Sequence, residues 1–228
     1  MRAVRLLTVA TVALTVSASR GVAQTCQGTA AFQDGRWRAG AFAHENNTVN
    51  DIGAGLAYGV PRSVYGELSV DKLQDPHGSA SATGPRLAVG YQLHISDTPF
   101  QFCPEVSAQY YSANGGGLST VEYSFGGNLG YRFGVSDWFT LVPAAGIRWF
   151  TVNDTEDKGD VLTPGGTAVP ASPLLVPQGS GSEVSMEMGL VFNRSFTIVP
   201  GLLIPSRNGT KSIFTLGVSI NWPSDPSR

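Results

Sequence analysis

Polar and apolar residues alternate along this chain with a period of two over many long stretches. Between 121 and 133, Val121, Tyr123, Phe125, Leu129, Tyr131 and Phe133 share one parity, and Glu122, Ser124, Gly126, Asn128, Gly130 and Arg132 take the other. That spacing sends the two sets to opposite faces of an extended strand. Val184, Met186, Met188, Leu190 and Phe192 repeat it against Glu183, Ser185, Glu187, Gly189 and Asn193, with Val191 as an apolar interloper. The pattern recurs at Leu87, Val89, Tyr91, Leu93 and Ile95, opposite Arg86, Ala88, Gly90, Gln92 and His94, and again at Ile52, Ala54, Leu56 and Tyr58. One such strand is ordinary in a soluble sheet. Many long ones, with charges and glycines always opposite the apolar set, predict a closed cylinder that is apolar outside and polar inside.

Ten strands are expected, at about 36–45, 50–60, 63–73, 84–96, 100–112, 119–134, 137–152, 183–194, 195–205 and 211–222. Eight is the alternative, should the first pair or the pair near 195–205 lie outside the wall. Pro104, Pro143 and Pro200 fall on the apolar face within these strands, and each predicts a local bulge or a strand end, because proline has no N–H to donate. Connections alternate in length. Short ones lie at Val60-Pro61-Arg62, Ser96-Asp97-Thr98-Pro99, Val135-Ser136 and Asn193-Arg194-Ser195. Longer polar ones cover 45–49, 74–83, 112–118, 153–182 and 206–210. Outer-membrane barrels have short periplasmic turns and long external loops. The fold class is therefore all-β, a closed antiparallel up-and-down transmembrane β-barrel, with the long loops facing out of the cell.

Aromatic residues fit two belts at the lipid–water boundaries. Tyr58, Tyr65, Tyr131, Phe133, Trp138, Phe139, Phe192, Phe196 and Trp222 sit near the short-turn ends, and Tyr110, Tyr111, Tyr123, Trp149 and Phe214 near the long-loop ends.

Composition narrows the class further. With 28 glycines, only 14% charged residues and no long window of helical period, the chain reads as all-β. The formal net charge of −2 comes with no basic stripe, so nucleic acid is not an expected partner. Arg2 and Arg5, an apolar run over 6–16 and the small residues Gly21-Val22-Ala23 read as a secretory signal cleaved after Ala23. The run is short of the roughly 20 residues of a spanning helix. The expected organisation is a signal peptide over 1–23, a barrel over 24–222 and a tail over 223–228.

In the predicted register Arg36, Arg38, Glu67, Asp71, Arg86, Glu105, Glu122, Arg132, Arg148, Glu183 and Glu187 all project into the lumen. Buried charges are tolerable only when paired and hydrogen-bonded. In so narrow a bore a crossed Arg–Glu network is expected to plug the lumen. The alternative makes the same residues the filter of a small water-filled pore. Cys26 and Cys103 enter an oxidising compartment on export, and both fall at the periplasmic end. A disulfide tying the N-terminal segment to the barrel rim is expected. Thr25 stands where a lipoprotein needs Gly, Ala or Ser, which argues against lipidation of Cys26.

Thr215-Leu216-Gly217-Val218-Ser219-Ile220-Asn221-Trp222 runs polar-x-Gly-x-x-apolar-x-aromatic. It resembles the β-signal by which the barrel assembly machinery recognises the last strand, and the resemblance implies that role for Thr215, Gly217, Ile220 and Trp222. A Pro-Ser-Asp-Pro-Ser-Arg tail follows, whereas the usual signal ends the chain. Alternation across nearly all of the mature part, with phrases such as Gly130-Tyr131-Arg132-Phe133-Gly134 and Pro143-Ala144-Ala145-Gly146-Ile147-Arg148-Trp149, resembles the outer-membrane β-barrel domain family of OmpA-like and OmpX-like small barrels. That resemblance implies a passive role: membrane scaffolding, adhesion through loops, or a narrow pore. No peptidoglycan-binding domain is expected.

Enzymatic readings are weaker. His94-Ile95-Ser96 has the His-x-Ser form of lipid A deacylases, but it lies inward at the periplasmic end, away from a lipid substrate. His44 has no serine or paired acid in sequence reach, and His77 stands in a loop beside Asp75 and Pro76, so neither builds a triad. Asp154, Glu156, Asp157 and Asp160 crowd one loop but match no EF-hand spacing, and solvated charge accounts for them. No metal or cofactor is expected. The reading is a monomeric, non-enzymatic barrel of the bacterial outer membrane that meets lipid and lipopolysaccharide and acts structurally or through its loops. A narrow diffusion channel comes second, and a lipid-modifying enzyme third.

Overall fold

A computed structural model of the chain describes residues 36–45, 50–60, 64–74, 81–95, 98–113, 119–156, 161–162, 168–169, 179–193, 195–206 and 212–223. The expected signal peptide, Cys26, His77, Asp157, Asp160 and the residues after Pro223 lie outside these.

Alternating β-branched, aromatic and small residues favour extended chain, and the ten long runs of them form ten strands. They are β1 (Arg36–Glu45), β2 (Asn50–Gly59), β3 (Val64–Gln74), β4 (Ser81–Tyr91, resumed at Leu93–His94) and β5 (Phe100–Ala113). The others are β6 (Ser119–Tyr131, resumed at Phe133–Gly134), β7 (Phe139–Glu156), β8 (Gly179–Phe192), β9 (Phe196–Pro205) and β10 (Ile213–Pro223). Each pairs antiparallel with its sequence neighbours, and β10 closes on β1 from Arg36↔Pro223 to Glu45↔Phe214. The barrel is closed. Followed once round the wall, the registers return to β1 with a stagger of about 12 residues, which tilts ten strands by about 40°. Asn193, at φ 48°, makes the tight turn between β8 and β9, a conformation asparagine tolerates.

The prolines behave differently from the bulges expected of them. On one side Pro104, Pro143 and Pro200 stay in register opposite Gly127, Met188 and Leu216. On the other side the ladder lapses beside each and resumes unshifted. β4 and β5 pair to Gly90↔Glu105 and again from Leu93↔Phe102. β6 and β7 stop at Gly130↔Ala144 and restart at Phe133↔Leu141. β8 and β9 skip from Glu187↔Gly201 to Leu190↔Ile198. A missing donor costs hydrogen bonds locally, and the flanking pairs keep the strands aligned. A register shift falls instead between Ser119 and Thr120, in the pairing of β6 with β7.

Side-chain parity splits the two faces. Ile52, Leu87, Val106, Phe125 and Ile220 point outward, each more than half exposed. Aromatic rings gather on that outer face, where Trp37 meets Tyr58 at 4.8 Å, Phe100 meets Tyr131 at 4.6 Å and Phe125 stacks on Trp149 at 5.3 Å. An apolar surface of this extent is costly in water, and hydrocarbon is the medium it suits.

Two rings depart from the belts. Tyr65 is 1% exposed and turns inward, its ring lying over Gly90, its cross-strand partner. Tyr111 is also buried, clustered with Leu73 and Ala82 near the long-loop end. Both stand on the inward parity of their strands, and a tyrosine's polar tip can serve either face. Val191 is inward and 2% exposed, an apolar plug residue among polar neighbours.

Candidate functional site

Because every strand alternates, the lumen collects one side chain in two from each, and its ionisable groups meet across neighbouring strands. Arg38 on β1 reaches past β2 to pair with Glu67 on β3. Arg86 on β4 lies 3.6 Å from Glu67 and donates to Glu105 of β5 at 2.7 Å. The Tyr65 hydroxyl donates to the other Glu105 oxygen at 2.8 Å. On another stretch of wall Arg148 of β7 donates to Glu122 of β6 at 3.0 Å and Glu183 of β8 at 2.7 Å. These ion pairs bind strands that are adjacent or one apart, so each group braces its own wall.

Among the described residues Asp71 and Glu187 make no close ion pair with an arginine. Asp71 accepts from Gln109, and its other oxygen, Oδ1, has no hydrogen-bond partner. Glu187 lines the same space on β8. Sequence parity did not single out the pair of His44 Nδ1 and Asp51 Oδ2, 3.1 Å apart at the long-loop end. Only cross-strand register brings them opposite each other, as His44↔Asp51. The same register sets Phe42 opposite Gly53 and folds its ring inward over that glycine. Arg132 takes the inward parity at the short-turn end, while the Arg36 and His94 side chains lie outside the described residues, as does Ser96.

Between the two braced walls runs a cavity of about 420 Å³, where the sequence suggested a crossed plug. Arg38, Asp71, Arg86, Glu122, Arg148 and Glu187 are among its lining residues. It does not reach the short-turn end. There Tyr65, Gln92, Gln101, Cys103, Val142, Val191 and Thr197 are all inward and at most 2% exposed. Cys103 therefore faces the lumen, packed with Ala57 and Tyr65, instead of sitting on a rim. No free thiol occurs among the described residues.

No protein-family model matches the chain, and no curated protein matches its sequence. Solved structures do. The β domain of the Bordetella autotransporter BrkA superposes with a TM-score of 0.52 at 8% identity, covering 83% of this chain and 99% of that one. The chain has the fold of a bacterial outer-membrane barrel. The N-terminal barrel of Pseudomonas aeruginosa OprF (14% identity, 83% and 98% covered, TM-score 0.36) and an outer membrane channel from Pseudomonas putida F1 (11%, 90% and 100%, 0.47) are more distant in shape.

The last strand of this barrel divides its motif between the two faces. Thr215 and Gly217 point inward, and Ile220 and Trp222 outward. The side chains of His44, Asp51 and Arg148 keep 29%, 15% and 33% exposure although all three face inward, while Leu73, Ala82 and Tyr111 near the long-loop end are buried. Chemically the lumen offers carboxylates, three guanidiniums and a few apolar side chains. Among the described residues no group of His, Cys, Asp and Glu has the arrangement of a metal site.

Proposed function

We propose that the protein is an integral outer-membrane barrel of the small OmpA-like kind, acting as a non-enzymatic scaffold that presents its long loops at the cell surface. Its lumen holds an internal cavity and is closed at the short-turn end. The observation that carries this reading is the burial of the inward side chains at the short-turn end. A diffusion channel needs water along the whole bore. Here the cavity runs from Arg38 and Glu105 up to Asp51 and Leu73, and Gln101, Cys103, Val142 and Thr197 below it are at most 2% exposed.

Export would remove residues 1–23 and oxidise the thiols, giving a Cys26–Cys103 bridge. The segment from Cys26 to Arg36, at about 3.3 Å per residue, reaches roughly 30 Å. Since Cys103 faces the lumen, the bridge would tie the N-terminal segment to the inside of the barrel wall. The apolar outer face would meet acyl chains and, on the outer leaflet, lipopolysaccharide. The barrel would act as a monomer in the membrane. The barrel assembly machinery would recognise β10 through Thr215, Gly217, Ile220 and Trp222. The external loops would supply the contact surface.

Planar-bilayer recording on the refolded mature chain tests the closure. The oxidised protein is expected to carry no steady current, and Cys103→Ser to show intermittent openings. A steady ohmic current through the oxidised barrel would overturn the closed-lumen reading in favour of a pore.

A further inference from the structure

At the short-turn end the lumen is filled, and the wall alone does not fill it. Thr140 of β7, Val191 of β8, Thr197 of β9 and Ser219 of β10 stand side by side in one cross-strand row, all facing inward. Exposure along that row runs 7%, 2%, 0% and 8%. Ten strands about 4.8 Å apart and tilted about 40° leave a bore about 20 Å wide between backbones. Neighbours in the row shield one another's flanks, but their tips face the bore. On the opposite wall Gln92 of β4 and Gln101 of β5 reach inward, and side chains of that length stop short of the row. Burial this complete therefore comes from chain that is not part of the wall.

The same level of the lumen holds polar atoms in want of a partner. Both amide atoms of Gln92 and of Asn221 are buried without a hydrogen bond, as are the hydroxyls of Thr197 and Ser219. Gln92 and Asn221 are 1% and 2% exposed. Buried polar groups are as a rule satisfied, and a peptide backbone offers a donor and an acceptor at almost every residue.

The position of each candidate segment decides between them. The short turns stay on the rim, where the Asn193 N–H donates to the Trp138 carbonyl at 2.8 Å and the Asn221 N–H to the Ser195 carbonyl at 2.7 Å. Both chain ends leave from this rim, since Arg36 pairs with Pro223. Residues 224–228 carry Asp225 and Arg228, charges that resist burial. Residues 24–35 carry a single charge, Asp34, among glutamine, threonine, alanine, glycine, cysteine and phenylalanine. At about 3.3 Å per residue that segment reaches about 40 Å, twice the width of the bore.

We propose that residues 24–35 dock inside the barrel as a stopper, held by the amides of Gln92 and Asn221 and the hydroxyls of Thr197 and Ser219. The proposal rests on the closed-lumen reading and names the part of the chain that does the closing.

Thiol labelling of the refolded mature chain in detergent micelles tests it. With Cys26→Ser and Cys103→Ser in place, Val191→Cys supplies one thiol in the buried row, and N-ethylmaleimide addition is followed by mass. Labelling is expected to be slow with the segment present. It should be at least tenfold faster when residues 24–35 are deleted. It should also be faster when Thr29, Ala30 and Ala31 are all replaced by aspartate, which keeps the length and makes burial costly. Gel mobility of the unheated samples checks that each variant is a folded barrel, and the aspartate variant carries the test should the deletion not fold. Fast labelling with the segment intact, or slow labelling in the folded variants, overturns the stopper. The closed lumen itself fails on a different measurement, a steady current through the oxidised wild type.

Discussion

Replacing Arg86 with methionine keeps the length of the side chain and deletes its charge. The guanidinium donates to Glu105 at 2.7 Å and lies 3.6 Å from Glu67, with all three side chains between 12% and 17% exposed. Breaking a fully buried pair costs about 3–5 kcal/mol, because the orphaned charge is left without water. Two features of this site reduce that figure. Glu67 keeps Arg38, and Glu105 keeps the Tyr65 hydroxyl at 2.8 Å. The adjoining cavity also admits water to the orphaned carboxylate. The expected loss is therefore about 2–3 kcal/mol, mostly the hydrogen bond to Glu105 with part of its desolvation. Adding Glu105→Gln to Arg86→Met removes the orphan charge and should recover about 1–2 kcal/mol of that loss. The measurement is urea unfolding in phospholipid vesicles, followed by tryptophan fluorescence, for the wild type, both single variants and the double. A loss under about 0.5 kcal/mol, or a double variant as unstable as the two singles added, would refute the claim that these charges brace the wall.

The outer face and the last strand give two further tests. Phe125→Arg places a charge at mid-strand on a side chain that is 59% exposed, and should cost about 2–4 kcal/mol in the same vesicle assay. A neutral result would mean that this face does not meet hydrocarbon. Trp222→Ala should lower the yield of folded barrel in cells several-fold, while barrels that do fold lose only about 1 kcal/mol, the scale of one interfacial aromatic. An unchanged yield would remove the assembly role from the motif.

Parity along the chain was enough to read the ten strands, the closed sheet and the sign of each face, because a period of two is a local property that every strand states separately. Arg38, Glu67 and Arg86 could be assigned to the interior on that ground alone. Which of them touch could not, since contact depends on register, and register depends on pairs the chain does not spell out. Arg38 reaching past β2 to Glu67 is a consequence of tilt and stagger, visible only after closure. The prolines were legible as missing donors. Their effect was overestimated, because the aligned pairs on either side hold a two-residue gap without admitting an extra residue.

Tyr65 and Phe42 identify a signal that hydropathy alone misses. Tyr65 stands opposite Gly90, Phe42 opposite Gly53 and Phe150 opposite Gly181, and in each case the ring covers the glycine from the neighbouring strand. Such pairs cover backbone that glycine leaves bare and fix a ring where its hydrophobicity alone would send it outward. An aromatic residue on the polar parity of a strand, facing a glycine at its cross-strand position, is thus better read as lumen furniture than as part of a lipid belt. The rule needs one register to apply it, and a short turn supplies that register. Val60 donating to the Val64 carbonyl at 3.0 Å closes the turn that aligns β2 with β3. The acids follow the same division: parity puts them in the lumen, but only register gathers Phe42, His44, Asp51 and Asp71 about Gly53.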